Sequence, residues 1–364
     1  MSRRVYLHVG APKTGTTYVQ DRLSLNARSL GSHGVHFLGA PTASPALFNF
    51  RAALDLLGQD WGGPAGHAEG GWPAMVRKVK RRSGTVVISH EVLAPATSDQ
   101  VARAMRDLAG AEIHVVYTAR DLARQVPAAW QESIKQGRAW TYERFLERMV
   151  QNKTWFSRAF DLPRVLGTWG AGLPPERVHV VTVPQSGDHR RHGDPLWDRM
   201  CEVFGIDPAW APLDSNRSNR SLGRSETQVI RQLNKRMKRA TRHEGAYDEL
   251  IRNLLDQGEL VRRESAAVRL PPDHFDWAEE RAERWIEWIQ GSGVHLVGDV
   301  EELRPVRPDP EERYRHPDRV GRKRQLDTAL NALAAMTREA ARRPDPDRTL
   351  VSRVRTQAER LRER

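Results

Sequence analysis

The sequence predicts an α/β fold in three layers, a parallel sheet flanked by helices. Three observations lead there. The stretches 5–9, 85–89, 113–118 and 177–183 are short, near-continuous apolar runs, as strands buried on both faces require. Segments with helical spacing of apolar residues lie between them. The first run passes through a glycine-containing loop straight into one of those helices.

Taken in order, 5–9 is the first strand and GAPKTGTT at 10–17 the loop. A helix follows over 16–30, with Val19, Leu23 and Leu30 as its buried stripe and Gly31 as its stop. Residues 33–39 add a short strand. Apolar recurrence makes 52–57 and 72–79 helical, and the glycine-rich stretch 60–71 between them reads as a mobile loop. The strand 85–89 runs into His90-Glu91, a helix covers 99–108, and the strand 113–118 ends at Arg120-Asp121. A helix over 122–135 then has Pro127 expected near its start or at a kink. After the strand 177–183 come a helix over 196–204 closed by Gly205, a polar loop at 211–223 and a basic helix over 224–241. The helix 277–290 and the strand 294–297 complete a domain spanning 1–303, with an insertion near 58–71. Proline and charge then dominate 304–322, which reads as a linker, and 323–364 as a charged helical tail.

Composition narrows the function classes. The 364 residues include 58 Lys plus Arg against 46 Asp plus Glu, a formal charge of +12 that favours an anionic partner. Only eight of the basic residues are lysines, which makes Lys13, inside the first loop, conspicuous. The lone cysteine, Cys201, excludes an intrachain disulfide and a cysteine-based metal cluster. No apolar run reaches eighteen residues, so no membrane-spanning helix is expected. Arg3 and Arg4 are not followed by a long apolar segment, and the expected location is cytoplasmic.

Gly10 and Gly15 have the spacing of an ATP-type phosphate loop, yet Thr16 stands where that motif places its lysine. The physics survives the change. Backbone N–H groups of the loop and first helical turn converge on phosphate oxygens, and the helix end favours negative charge. Lys13 adds a mobile cation, and Thr16 and Thr17 add hydroxyl donors.

Pro12-Lys13-Thr14-Gly15-Thr16-Thr17 resembles the 5′-phosphosulfate loop, PK-[ST]-G-T-T, of the sulfotransferase family, here of the bacterial type with P-loop-superfamily architecture. The resemblance implies a nucleotide-binding α/β domain and the cofactor 3′-phosphoadenosine-5′-phosphosulfate. It also implies that Lys13 stabilises charge on the bridging oxygen during transfer. The family's second signature is an arginine after a strand with a serine eight residues later, both on the cofactor's 3′-phosphate. Arg120 matches the arginine, and its guanidinium suits bidentate phosphate recognition. Asp121 is expected to cap the next helix. The serine position holds Ala128, a departure that Ser133, Arg124 or a backbone group would have to offset. Arg217 and Arg220, in the polar loop before 224, are further candidates for the 3′-phosphate, although the family's RKG pattern is absent.

Sulfuryl transfer needs a group to take the acceptor's proton. His90 and Glu91 end a strand, where functional side chains of open α/β sheets gather. Glu91 is preferred and His90 is the alternative. Lys13 and Arg120 are expected near the Glu91 carboxylate. Thr182 to Gln185, at another strand exit, is expected to support the site from below. Trp61, Trp72, Trp130, Trp140, Trp155 and Trp169 could wall an acceptor site, but core anchoring explains most of them.

The expected activity is transfer to a hydroxyl of a small molecule, lipid or carbohydrate, with no metal and no specific nucleic acid involved. Oligomeric state is left open. The alternatives are a sulfotransferase-like nucleotide binder without activity, a P-loop small-molecule kinase, and a basic nucleic-acid-binding protein. The kinase lacks the lysine after Gly15. The nucleic-acid binder lacks aromatic residues interleaved with the basic ones.

Overall fold

A computed structural model describes residues 3–185, 194–215, 221–238, 241–243, 247, 249–251, 254–255, 260, 263 and 265–343. The strands are β1 (Arg3–Gly10), β2 (Val35–Phe37), β3 (Gly84–Ser89), β4 (Glu112–Ala119), β5 (Val178–Thr182) and β6 (His295–Val297). The helices in the first half are α1 (Thr16–Leu25), α2 (Ala27–Ser32), α3 (Pro45–Leu56), α4 (Gly71–Lys80), α5 (Ser98–Asp107) and α6 (Leu122–Lys135). Then follow α7 (Tyr142–Val150), α8 (Trp155–Phe160), α9 (Leu162–Trp169), α10 (Pro195–Phe204), α11 (Arg224–Arg236), α12 (Phe275–Ser292) and α13 (Arg322–Arg342).

The strands form one six-stranded, all-parallel sheet in the order β2-β3-β1-β4-β5-β6. Alternation along β1 sends Val5, Leu7 and Val9 into one core and Tyr6 into another on the opposite face. The first core is covered by α3 to α6, α9 and α12, and the second by α1, α2 and α10. The three predicted layers are therefore present. Trp72, Trp130 and Trp169 are fully buried, and their indole N–H groups reach Asp107, the Trp140 carbonyl and the Leu93 carbonyl. These are core anchors, not an acceptor wall.

Strand order positions the site. From β1 the chain leaves for β2, returns to β3 beside β1, and then crosses β1 to reach β4. The helix after β1 packs on one face, while those after β3 and β4 pack on the other. The loops at the carboxyl ends of β1 and β4 thus diverge and leave a crevice, where ligands of open α/β sheets bind.

Several boundaries differ from expectation. The predicted helix 16–30 is broken at Asn26, whose amide donates to the Arg22 and Leu213 carbonyls and accepts from Leu213 N–H. A short amide side chain offers the backbone an alternative to continued helix. Pro127 lies inside α6, in its second turn, and not at its start. The basic helix at 224 ends at Arg236, and the loop 60–71 is a run of turns tied by Asp60 to Gly66 N–H and His67. Residues 304–322 lie against the domain: Asp318 accepts from Tyr142 N–H, and Gln228 donates to Asp318 and the Pro317 carbonyl. The helix α13 packs on α11 through buried Thr328, Ala332 and Ala335. Among the described residues no helix is long and apolar enough to cross a membrane.

A file of imidazoles crosses the sheet. His114 Nε2 lies 2.9 Å from Glu112 Oε1, His114 Nδ1 2.8 Å from His179 Nε2, and His179 Nδ1 2.9 Å from His295 Nδ1. The carboxylate can only accept, so neutral rings have one consistent arrangement: His295 donates to His179, His179 to His114, and His114 to Glu112. Burial lowers the His179 pKa to about 3, and burial likewise lowers that of His8 to about 3. Both rings stay neutral in the fold but charge in the unfolded chain near 6.5. The unfolded state therefore binds more protons below that value. Stability should be full above pH 6.5 and fall steadily toward pH 3, by on the order of a few kcal/mol before pH 4. Urea unfolding across this range should show the decline, and His179→Asn should make it shallower, with the His8 contribution remaining.

Candidate functional site

The loop after β1 is held from behind. Thr118 Oγ1 donates to the Gly10 carbonyl at 3.0 Å, and Ala11 N–H donates to the Thr118 carbonyl at 2.9 Å. Thr14 Oγ1 donates to the Ala11 carbonyl at 2.5 Å, with Thr16 Oγ1 at 3.3 Å from the same oxygen. Gln125 Nε2 donates to the Pro12 carbonyl at 2.8 Å, and Arg120 Nη1 to the Lys13 carbonyl at 3.1 Å. The carbonyls of Gly10 to Lys13 are thus all engaged by the loop's own threonines and by β4 and α6. In a trans peptide the N–H points opposite the carbonyl, so engaging the Pro12 and Lys13 oxygens turns the Lys13 and Thr14 N–H groups the other way. The N–H groups of Lys13, Thr14, Gly15, Thr16 and Thr17 have no acceptor among the described residues, and α1 has no side-chain cap.

Local conformation makes the turn possible. Gly15 adopts φ 92°, and a Cβ there would sit 2.6 Å from Leu196 Cδ2. Lys13 adopts φ 67°, a left-handed value uncommon for a residue with a side chain. Its carbonyl faces Arg120 while its Nζ stands 3.1 Å from Glu132 Oε2 on α6.

Arg120 is the second feature. Among the described residues it has no carboxylate partner and its Nε is buried without an acceptor, while Asp121 beside it is taken by Arg124. Burial, reinforced by the Arg124 charge, lowers its pKa to about 10. Charges shielded from water are ordinarily paired, so this partly buried guanidinium beside N–H groups without acceptors forms a cationic cradle of the kind that suits an anion. The structure brings Arg120 against the Lys13 carbonyl of the loop.

Other candidates are placed differently. Asp121 caps α6 as expected, accepting from Arg124 N–H at 3.0 Å. Arg124 faces away from the cradle, donating to Asp121 and to the carbonyls of Val183, Pro184 and Gln185, so it braces the exit of β5. Ser133 Oγ donates to the Trp130 carbonyl at 2.7 Å and does not stand in for a serine at Ala128. Arg217 and Arg220 lie outside the described residues.

At the end of β3, His90 and Glu91 separate in role. His90 Nδ1 accepts from Val92 N–H at 3.2 Å, capping the turn Glu91–Leu93, and its ring lies 4.9 Å from that of Phe50. Burial lowers its pKa, so the ring is neutral with its remaining hydrogen on Nε2. It can donate but has no free lone pair for a proton. The Glu91 backbone packs on Gly10, with Glu91 Cα 3.5 Å from where a Gly10 Cβ would lie. Its carboxylate has no hydrogen bond or ion pair among the described residues, neither with Lys13 nor with Arg120 as expected.

The residues missed at the sequence level are Thr118, Gln125 and Glu132. Gln125 and Glu132 share with Ala128 the i, i+3, i+7 face of α6, so helical spacing from Ala128 was the signal that could have found them. A cavity of about 390 Å³ opens beyond Arg124, lined by Arg269, Leu270, Phe275, Val306 and Arg307. It does not touch the loop, and its arginines are already paired with Asp121, Glu312, Asp276 and Glu279. No family model, curated protein or solved structure matches the chain.

Gly15→Ala would force a left-handed conformation on a residue crowded by Leu196. It should lower unfolding stability by roughly 1–3 kcal/mol in urea titration. Gly291→Ala, a helical position with open space around it, should leave stability unchanged or slightly raised.

Proposed function

We propose that the chain transfers a sulfuryl group from 3′-phosphoadenosine-5′-phosphosulfate to an acceptor hydroxyl. The observation that carries the reading is the cradle: inward N–H groups from Lys13 to Thr17, joined through the Lys13 carbonyl to the unpaired Arg120. A ligand bearing anionic groups at two separated points suits it. The motif PKTGTT names the phosphosulfate donor among such ligands.

In this reading the N–H groups of the loop and of the first turn of α1 hold the 5′-phosphosulfate. Arg120 meets the 3′-phosphate. The acceptor oxygen attacks sulfur in line as the sulfur–oxygen bond to the 5′-phosphate breaks. Its proton passes to the Glu91 carboxylate, and Lys13 stabilises the charge that builds on the departing phosphate oxygen. His90 positions the turn that carries Glu91. The acceptor is a small molecule, a lipid or a carbohydrate.

Ala128 favours a second reading, nucleotide binding without transfer, since the 3′-phosphate lacks a hydroxyl donor there. Calorimetry with adenosine 3′,5′-bisphosphate should give specific binding that Lys13→Ala and Arg120→Ala each weaken at least about tenfold; no binding by the native chain sinks both readings. Labelled donor with a panel of alcohols, phenols and sugars separates them. Under the transfer reading, Glu91→Gln should slow product formation by roughly 100-fold while nucleotide affinity holds.

A further inference from the structure

The lysine of the loop has a partner of its own on α6. Lys13 Nζ lies 3.1 Å from Glu132 Oε2, and Lys135 Nζ lies 3.2 Å from the same oxygen. Gln136 Nε2 donates to the other oxygen, Oε1, at 3.3 Å. The Glu132 side chain is 12% exposed, that of Lys135 15% and that of Lys13 30%, so the pair is partly shielded from water and Lys13 is its most accessible member. Glu132 stands on the α6 face that looks onto the loop, one turn beyond Ala128.

We infer that Glu132 is an exchangeable counter-charge for Lys13, a positioning residue that holds the lysine until an anionic donor displaces it. The inference rests on the sulfuryl-transfer reading for the identity of that donor. Its physical basis is the second lysine. A buried carboxylate stripped of its cations would be strongly destabilised. Glu132 keeps Lys135 and Gln136 when Lys13 moves to the ligand, so the exchange leaves no orphaned charge. Lys13 is the member free to leave, because it sits on a loop, whereas Glu132, Lys135 and Gln136 belong to α6 or its end. The anion therefore competes with a carboxylate for one ammonium, and the resting affinity is set by that competition.

Two substitutions should act in opposite directions. Glu132→Gln removes the competitor and should tighten adenosine 3′,5′-bisphosphate binding about three- to tenfold. Lys135→Gln removes a cation that Glu132 keeps when Lys13 leaves and should weaken binding by a similar factor. A double-mutant cycle decides the route. In a Lys13→Ala background, the gain from Glu132→Gln should vanish; a gain that persists would mean direct repulsion of the anion and would overturn the exchange. Unfolding midpoints of each variant accompany the titrations. Loss of stability together with weaker binding in Glu132→Gln would make Glu132 a structural residue and also overturn it. If the native chain binds the bisphosphate and Glu132→Gln binds it equally, the exchange falls and the donor reading stands. If the native chain does not bind the bisphosphate, the donor reading falls, and inorganic pyrophosphate titrated into the same variants then tests the exchange alone. Failure of pyrophosphate to bind, or to bind more tightly to Glu132→Gln, refutes it.

Discussion

Everything at the candidate site depends on where four backbone carbonyls point. Those of Gly10, Ala11, Pro12 and Lys13 accept hydrogen bonds from Thr118, Thr14, Gln125 and Arg120. A trans peptide unit is planar, so securing the Pro12 and Lys13 oxygens turns the N–H groups of Lys13 and Thr14 the opposite way. That side of the loop therefore presents the Lys13 and Thr14 N–H groups, donors of the kind that hold an anion in place of water. The helix α1 begins there without a side-chain cap, so its first N–H groups join the same row.

The sheet makes that arrangement possible. β1 lies between β3 and β4, and the helix after β1 packs on one face while those after β3 and β4 pack on the other. One loop can then be gripped from β4 and α6 while remaining open toward the end of β3. Arg120 links the two signatures directly, since its guanidinium binds the Lys13 carbonyl and still has donors left over. Distance along the chain, 107 residues between them, becomes contact through strand order alone.

Glu132 gives this site its own electrostatic character. Where the sulfotransferase pattern has a serine on α6, this chain has Ala128, and one turn on it places a carboxylate against the loop lysine. Arg124 and Ser133, which appeared able to replace the missing hydroxyl, bind backbone carbonyls instead. The candidate anion-binding groups are thus those of the loop and Arg120.

The sequence by itself determined the sheet and the loop. Apolar runs and helical spacing are local properties, so β1, β3, β4 and β5, the span of α6 and the cradle residues from Pro12 to Thr17 were legible without coordinates. Asp121 as a cap and Gly205 as a helix stop are equally local. What the tertiary structure decided were the partners of side chains. Asn26 breaks a helix because Leu213, far along the chain, offers it a backbone to bind. Arg124 turns to the β5 exit, His90 gives its lone pair to Val92, and Lys13 meets Glu132 and not Glu91. Hydrogen bonds and ion pairs between distant residues depend on angles and separations that only the packed sheet supplies, and no pattern of residue types contains them.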